Sequence, residues 1–303
     1  SDAITITLDT TAPTIEVTAP NGGVDFTTNT ASQTVSGTCS TDTVNLTTSL
    51  GTFSDNNCAD GTWALNAYTL AEGANVFTIG GEDSLGNLTS DAITITLDTT
   101  APTIEVTAPN GGVDFTTNTA SQTVSGTCST DTVNLTTSLG TFADSNCADG
   151  TWALDPYTLA EGANVFTIGG EDSLGNLTSD AITITLDTTA PTIEVTAPNG
   201  GVDFTTATAS QTVSGTCSTD AVNLSTTLGT FADSDCSDGT WALNAYTMAE
   251  GANVFTISGE DSLGNPTSDA ITITLDTTAP TITVTDPNGG VDFTTNVASQ
   301  TVS

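Results

Sequence analysis

The fold of this chain is decided by the stretch Ser90-Asp-Ala-Ile-Thr-Ile-Thr-Leu-Asp-Thr-Thr-Ala-Pro-Thr-Ile-Glu-Val-Thr-Ala-Pro109. Its first half alternates Ile93, Ile95 and Leu97 with threonines, which is the period-2 pattern of a half-buried β-strand. The pattern breaks at Asp98-Thr-Thr-Ala-Pro102 and then resumes at Ile104. Because proline restricts both itself and the residue before it, this break predicts a short stiff linker between the last strand of one domain and the first strand of the next.

Nearly the same residues open the chain at Ser1 and return at Ser179 and Ser268, so the repeat is 89 residues long. The predicted divisions are 1–9, the closing strand of a preceding repeat; 10–98, 99–187 and 188–276, three complete repeats; and 277–303, the opening strands of a following repeat. Strands that stand alone at the two ends bury too little apolar area to offset the conformational entropy lost when they become ordered. We therefore expect a segment of a longer array, with strand exchange between the ends of neighbouring molecules as the alternative.

Seven short strands are predicted in each repeat, with turns such as Pro20-Asn-Gly-Gly23 between them. In the first repeat these are A (Ile15, Val17), B (Val35 to Cys39), C (Val44, Leu46), D (Thr52, Phe53), E (Trp63, Leu65), F (Phe77 to Gly81) and G (Ile93 to Leu97). Residues 24–28 are expected to extend the edge, and no window has helical spacing. The fold class is therefore all-β, a tandem array of Ig-like antiparallel β-sandwich domains with Trp63, Phe77, the isoleucines and the valines in the core.

The charge is one-sided, with 36 acidic residues and no Lys, Arg or His, so the formal net charge is −36. Nucleic acid and anionic membrane surfaces are excluded as partners because both are bound through cationic side chains. No apolar stretch is long enough to insert into a membrane. A catalytic triad is excluded without histidine, and Glu82 and Asp83 point to opposite faces of a strand. We expect no enzymatic activity, and we expect Asp83 to cap the turn that ends at Asn87.

Six cysteines occur as one pair per repeat at constant separation. The predicted disulfides are Cys39–Cys58, Cys128–Cys147 and Cys217–Cys236. A zinc site would need four soft ligands, and one repeat offers two cysteines and no histidine. The pairs therefore indicate an oxidising environment and an extracellular or cell-surface location.

The repeat also carries a family resemblance, in the residues from Trp63 to Leu70, Glu72-Gly73, Asn75, Phe77, Ile79, Asp83, Gly86-Asn87, Leu97-Asp98 and Pro102. Through these residues the repeat resembles the bacterial Ig-like repeats of large secreted adhesins and surface fibres. The resemblance covers nearly the whole chain. That resemblance implies a spacer between working modules, and it is more specific for fold than for function. One departure is that antibody domains join strands B and F, whereas here the second cysteine precedes strand E.

Carboxylates are the candidates for ligand binding, because the B–C, D–E and F–G loops of an Ig-type sandwich share the pole at which the preceding domain ends. The candidate calcium ligands are Asp98, Asp131, Asp144, Asp149, Glu171, Asp172, Asp187, Asp220, Asp233, Asp238, Glu260 and Asp261. Hard oxygen ligands in such numbers suit Ca²⁺. The alternative is that each is a solvated loop carboxylate or a turn cap, and the stretch from Asp233 to Gly239 is one residue out of register with an EF-hand loop.

The sequence predicts a non-enzymatic extracellular structural protein, the stalk or fibre segment of a repetitive adhesin or surface filament, whose partners are neighbouring repeats or copies of itself. The first two repeats differ only at Ser54/Ala143, Asn56/Ser145, Asn66/Asp155 and Ala67/Pro156. Binding loops would be expected to diversify, so this identity favours a shared mechanical role. The alternative is a module that binds carbohydrate or a host protein, for which exposed aromatics would speak. The tyrosines, such as Tyr68, are expected to pack instead.

Overall fold

Residues 3–302 are described by the structure, a computed structural model, and ten strands recur in each of three copies. The first copy contains β1 (Ile15–Ala19), β2 (Phe26–Thr28), β3 (Ser32–Gln33), β4 (Ser36–Cys39), β5 (Val44–Thr48), β6 (Phe53–Asp55), β7 (Thr62–Leu65), β8 (Tyr68–Thr69), β9 (Gly73–Glu82) and β10 (Leu88–Leu97). The second contains β11 (Ile104–Ala108), β12 (Phe115–Thr117), β13 (Ser121–Gln122), β14 (Ser125–Cys128), β15 (Val133–Thr137), β16 (Phe142–Asp144), β17 (Thr151–Leu154), β18 (Tyr157–Thr158), β19 (Gly162–Glu171) and β20 (Leu177–Leu186). The third contains β21 (Ile193–Ala197), β22 (Phe204–Thr206), β23 (Ser210–Gln211), β24 (Ser214–Cys217), β25 (Val222–Thr226), β26 (Phe231–Asp233), β27 (Thr240–Leu243), β28 (Tyr246–Thr247), β29 (Gly251–Glu260) and β30 (Pro266–Leu275).

Helical structure in residues 3–302 is limited to three-residue 3-10 turns. They span Asn21–Gly23, Cys58–Asp60, Asn110–Gly112, Cys147–Asp149, Asn199–Gly201, Cys236–Asp238 and Asn288–Gly290. No helix in this part of the chain is long and apolar enough to cross a membrane. The all-β prediction is confirmed.

Two four-stranded sheets form each sandwich. In the first copy their strand orders are β1-β4-β7-β6 and β2-β10-β9-β5, with β3 and β8 as a separate short pair. The first sheet holds the predicted strands A, B, E and D, and the second holds C, F and G. This is the strand arrangement of an immunoglobulin-type sandwich, which confirms the predicted fold.

Residues 24–28 were expected to extend the edge, and Phe26–Thr28 do form an edge strand, β2, but in the other sheet from β1. The chain leaves β1 through the turn at Pro20–Gly23, where Asn21 has a φ of 52°. β2 then pairs in parallel with β10. Carboxylates hold the crossing: Asp91 Oδ2 accepts Val17 N at 2.8 Å, and Asp25 Oδ1 accepts Thr94 N at 2.7 Å. The turn residues redirect the strand because they adopt backbone conformations that an extended strand does not.

The core matches the prediction for the large residues but not for every valine. Trp63, Phe77 and Ile79 are fully enclosed, and Val17 and Val35 are buried with them. The exposed valines of this copy are Val24, Val44 and Val76. Val76 lies on the outward face of β9. Val44 leaves the core because its neighbour Asn45 has a φ of 51°, and the pairing of β5 with β9 shifts between Val44 and Thr47.

Gly37 on β4 leaves the space that the indole of its cross-strand neighbour Trp63 occupies. A Cβ at this position would clash with the carbonyl oxygen of Glu16 and would lie 2.7 Å from Cζ2 of Trp63. The indole N–H donates to the carbonyl oxygen of Thr38 at 3.2 Å, so the polar edge of the ring is satisfied. A glycine opposite a tryptophan is therefore a packing requirement of this fold.

The predicted disulfides are confirmed in all three copies. In the first copy Cys39 ends β4, and Cys58 begins the 3-10 turn between β6 and β7, with a Cα–Cα distance of 5.7 Å. Cys39 N also donates to Gly61 O at 3.0 Å, so the backbone already joins strand B to this loop. Three disulfides indicate that the protein matures in an oxidising, extracytoplasmic environment.

The described residues of the two end segments form no strand, whereas 1–9 and 277–303 were expected to supply strands of neighbouring repeats. Neither 3–14 nor 276–302 contains a strand, and residues 1, 2 and 303 lie outside the described part. Ile4, Ile6 and Leu8 are more than four-fifths exposed. Their equivalents in the complete copies are ordered by β9 and β2, and no such strands adjoin the end segments here. A strand needs its ladder partners to form.

The chain divides into two compact units. The first comprises the residues up to Thr116 together with Ala120–Thr185, and the second comprises Thr117–Thr119 together with the residues from Leu186 onward. The first unit contains the first copy and most of the second, and the linker between these two copies is therefore internal to one unit.

Candidate functional site

The linker Asp98–Pro102 lies between β10 of the first copy and β11 of the second, and Glu72 holds it. The Glu72 carboxylate accepts Thr99 N at 3.1 Å, the Thr99 hydroxyl at 2.8 Å and the Thr100 hydroxyl at 3.3 Å. Asp98 Oδ1 accepts Thr100 N at 3.1 Å. The donors, first the Thr99 hydroxyl and then its N–H, lower the pKa of Glu72. The first three residues of the linker are therefore bonded to the domain that the linker leaves.

The F–G turn of the second copy is built around Asp172. Oδ1 of this carboxylate accepts Leu174 N at 2.8 Å and Asn176 N at 2.9 Å, and Oδ2 accepts the Asn176 amide at 2.7 Å. The backbone N–H of Asn176 is the largest cause of its lowered pKa. Asp83 makes the same bonds to Leu85 and Asn87, which confirms the predicted turn cap. A buried carboxylate with this many donors makes a rigid turn.

This turn contacts the preceding domain through two asparagine side chains. Asn176 Nδ2 donates to the carbonyl oxygen of Asp98 in the linker at 3.0 Å. From the other side, Asn29 Nδ2 of the first copy donates to the carbonyl oxygen of Leu174 at 2.7 Å. The carboxylate of Asp172 thus orients Asn176 toward the linker. We call Asn29, Glu72, Asp172, Asn176 and the linker the junction.

The same bonds recur within the second unit. Asn265 Nδ2 donates to Asp187 O at 3.0 Å, and Asn118 Nδ2 donates to Leu263 O at 2.7 Å. Glu250 binds the Thr277 N–H and hydroxyl as Glu72 binds Thr99. Sequence reasoning missed the asparagines, since an exposed Asn in a loop carries no local signal for a partner that lies 78 or 145 residues away. The recurrence of these asparagines at the repeat period was the available clue.

The start of β11 is also anchored. Thr103 N donates to the Ser129 hydroxyl at 2.9 Å, and Ser129 N donates back to Thr103 O at 3.0 Å. Ser129 lies in the B–C turn of the second copy, so the linker is bonded on both sides of Pro102. Together these contacts restrict the linker to one path.

The carboxylates predicted as calcium ligands are placed mostly as caps of their own loops. In the first unit Asp144 accepts Asn146 N, Asp149 accepts the Thr151 N–H and hydroxyl, and Glu171 accepts the Asn134 amide. In the second unit Asp233, Asp238, Glu260 and Asp261 have the equivalent roles. Asp131 and Asp220 lie in exposed B–C turns, and Asp98 and Asp187 lie in linkers.

Of this set, the structure brings together the Asp98 backbone and the Asp172 turn, joined by Asn176, and likewise the Asp187 backbone and the Asp261 turn, joined by Asn265. Within residues 3–302 no three Asp, Glu, Cys or His side chains form a group that could hold a metal ion. The donors around Asp172 occupy the oxygens that the calcium hypothesis assigned to a cation. Calcium binding stays a prediction for titration.

The tyrosines are packing residues, as predicted. Tyr68 is half-buried and its ring lies edge-on to Phe77 with the centroids 5.3 Å apart, and the other two copies repeat this pair. The tyrosine rings therefore pack within each sandwich and do not form an exposed aromatic surface for a ligand.

The family model described as glucodextranase, domain B, matches residues 13–99 and 102–188, more than half of the chain. The chain belongs to this family. It is 31% identical over 199 residues to chitinase A1 of Niallia circulans, a match that covers 61% of this chain and 27% of that protein. The chain thus spans about a quarter of the length of this curated relative.

Among solved structures, the I-band fragment I67-I69 from titin is similar, with a TM-score of 0.50 and 11% identity, covering 88% of this chain and 99% of that one. At this identity the likeness shows the fold alone, a tandem of Ig-like domains. Such domains are typically non-catalytic, although the relatives named above are parts of enzymes.

Proposed function

We propose that this chain is a non-catalytic extracellular spacer, the stalk or fibre segment of a repetitive surface protein such as an adhesin. The observation that carries the proposal is the junction, in which side chains from both domains and the linker are joined by hydrogen bonds. A flexible tether needs no such bonds, whereas a spacer that sets a distance between modules does. Its partners are neighbouring repeats.

The third copy supplies a natural test of the junction. It carries Ala207 where the first two copies carry Asn29 and Asn118. Its sandwich has the same strand order, so alanine at this position is compatible with the fold. The variant N29A should therefore remove the bond to Leu174 and leave the first sandwich intact.

Spin labels on the first and second copies, attached through non-natural amino acids, allow the distance distribution between the copies to be measured by pulsed electron resonance. We expect one narrow distribution for the full chain and a broader one for N29A combined with E72A. The control N66D, which copies the natural Asp155 outside the junction, should match the unaltered chain. A broad distribution in the unaltered chain, or no effect of N29A/E72A, contradicts the spacer role.

A second candidate function is an accessory module for polysaccharide binding. The family match and the match to chitinase A1 relate this chain to domains of enzymes that act on polysaccharides, and the first and second copies each carry an open groove. Binding of oligosaccharides by the full chain tests this candidate separately from the junction, because its readout is affinity and not interdomain distance.

A further inference from the structure

A groove lies on the outward face of the sheet formed by the C, F and G strands in each of the first two copies. Its volume is about 520 Å³ in the second copy and about 480 Å³ in the first. In the second copy Asn134 and Thr136 form one side, Leu177 the other, and Gly169 the floor. The first copy uses the identical residues Asn45, Thr47, Leu88 and Gly80. Volumes of this size accommodate small ligands.

Gly169 keeps the groove open. Its φ is not in the left-handed region, so the backbone does not require glycine here. A Cβ would lie 2.9 Å from the Thr136 hydroxyl oxygen, which is closer than real contacts allow. In the third copy three groove positions differ together: Ser258 replaces Gly169, Ser225 replaces Thr136 and Pro266 replaces Leu177. The fold therefore accepts a side chain on the floor, and glycine in the first two copies serves the open groove.

The sides of the groove have a defined chemistry. Asn134, which has a φ of 53°, donates its amide to Glu171 Oε1 at 2.7 Å, so the carboxylate is held in place. Thr136 and Ser179 add hydroxyls. Leu177 lies on β20 two residues before Ser179, and its apolar side chain is 75% exposed. The groove therefore offers hydroxyl and carboxylate oxygens together with one exposed apolar side chain.

We propose that the grooves of the first two copies bind an N-acetylated sugar, and that the third copy does not. Sugar hydroxyls and the acetamido N–H are donors that suit Glu171, and the acetamido methyl suits Leu177. Anionic ligands are repelled by Glu171 and by the net charge of −36. Two equal sites on one chain gain avidity on a polymer of repeating sugars. This inference deepens the second candidate function and is independent of the spacer role.

The test uses the full chain and the β-1,4-linked tetramer of N-acetylglucosamine in a calorimetric or ligand-observed NMR titration. The tetramers of glucose and of glucosamine are the comparison probes. One variant gives both grooves the residues of the third copy (T47S/G80S/L88P with T136S/G169S/L177P). A reciprocal variant gives the third copy a groove (S225T/S258G/P266L). Each set of residues already folds in this chain, and Asn265 keeps its bond to Asp187 O beside Pro266.

We expect two sites with dissociation constants on the order of 1 mM for the N-acetylated tetramer. The first variant should weaken binding at least tenfold, and the reciprocal variant should raise the stoichiometry from two to three. No binding at saturating tetramer, or unchanged binding in the first variant, overturns the site. Equal or tighter binding of the glucose or glucosamine tetramer overturns the assignment of the acetamido group. The interdomain distances are read separately, so these outcomes do not bear on the spacer.

Discussion

Removal of the first disulfide should destabilise one domain and leave the other two as internal references. The bond from Cys39 to Cys58 closes a loop with a sequence separation of 19, and both sulfur-bearing residues are buried. On the chain-entropy model a loop of this size contributes about 3 kcal/mol at 25 °C. For a domain of this length, that loss lowers the unfolding midpoint by roughly 12–25 °C. The variant C39A/C58A is the perturbation.

Differential scanning calorimetry of the full chain measures the effect, because roughly a third of the unfolding enthalpy should move to the lower temperature when enthalpy scales with domain size. The matched control is the reduced and alkylated chain, in which all three domains should shift. A change of less than about 1 kcal/mol in the first domain would refute the argument, since it would show that the loop is closed equally well without the bond.

The remaining predictions concern packing, pH and calcium. G37A should destabilise its domain by about 3 kcal/mol in urea unfolding, because the added Cβ meets the Glu16 carbonyl and the Trp63 ring. G22A is the comparison, because the space there is open and its cost is confined to the strain of a side chain at a φ of 67°; equal effects would contradict the packing argument. The turn donors, first the Asn87 amide at Asp83, lower the pKa of this carboxyl below its usual 3.8. The stabilisation by the ionised Asp83 is therefore full above about pH 4 and is lost as the pH falls through its folded-state pKa. The thermal midpoint should drop in this range, and it should drop less in D83N/D172N/D261N. A midpoint independent of pH would contradict this role of the turn carboxylates. If calcium binds at the domain poles, a concentration tenfold above its dissociation constant should stabilise the fold by about 1.4 kcal/mol where magnesium does not, and an unchanged midpoint in millimolar calcium would remove the hypothesis.

The sandwich could be predicted from the sequence because its strands alternate at period 2 and its repeats align the turns. The prediction for Val44 was wrong because one asparagine, Asn45, takes a left-handed conformation and shifts the register of a single strand. Residues 24–28 were expected to extend the edge, but the sheet to which this edge strand belongs could not be predicted, because a crossing edge strand and a continuing one have the same local pattern. Local hydrophobic period thus predicts which residues form strands better than it predicts their partners.

The site was harder to predict because its chemistry depends on distant pairs. The acidic loops suggested a cation, yet the carboxylate of Asp172 is used to orient Asn176, and Glu72 is used to hold Thr99. Both partners of Glu72 are ordinary threonines in a chain that is rich in them. The polar groups of the junction satisfy one another, and this is visible only once the domains are in place.

The junction is expected to hold the first and second copies in one relative orientation. Residual dipolar couplings can be measured on the full chain, with the two copies isotope-labelled in separate segmental preparations. Both copies should then report the same magnitude and rhombicity of alignment, and N29A/E72A should make them differ. Different alignment magnitudes in the unaltered chain would contradict this expectation, because they would show that the two domains reorient independently.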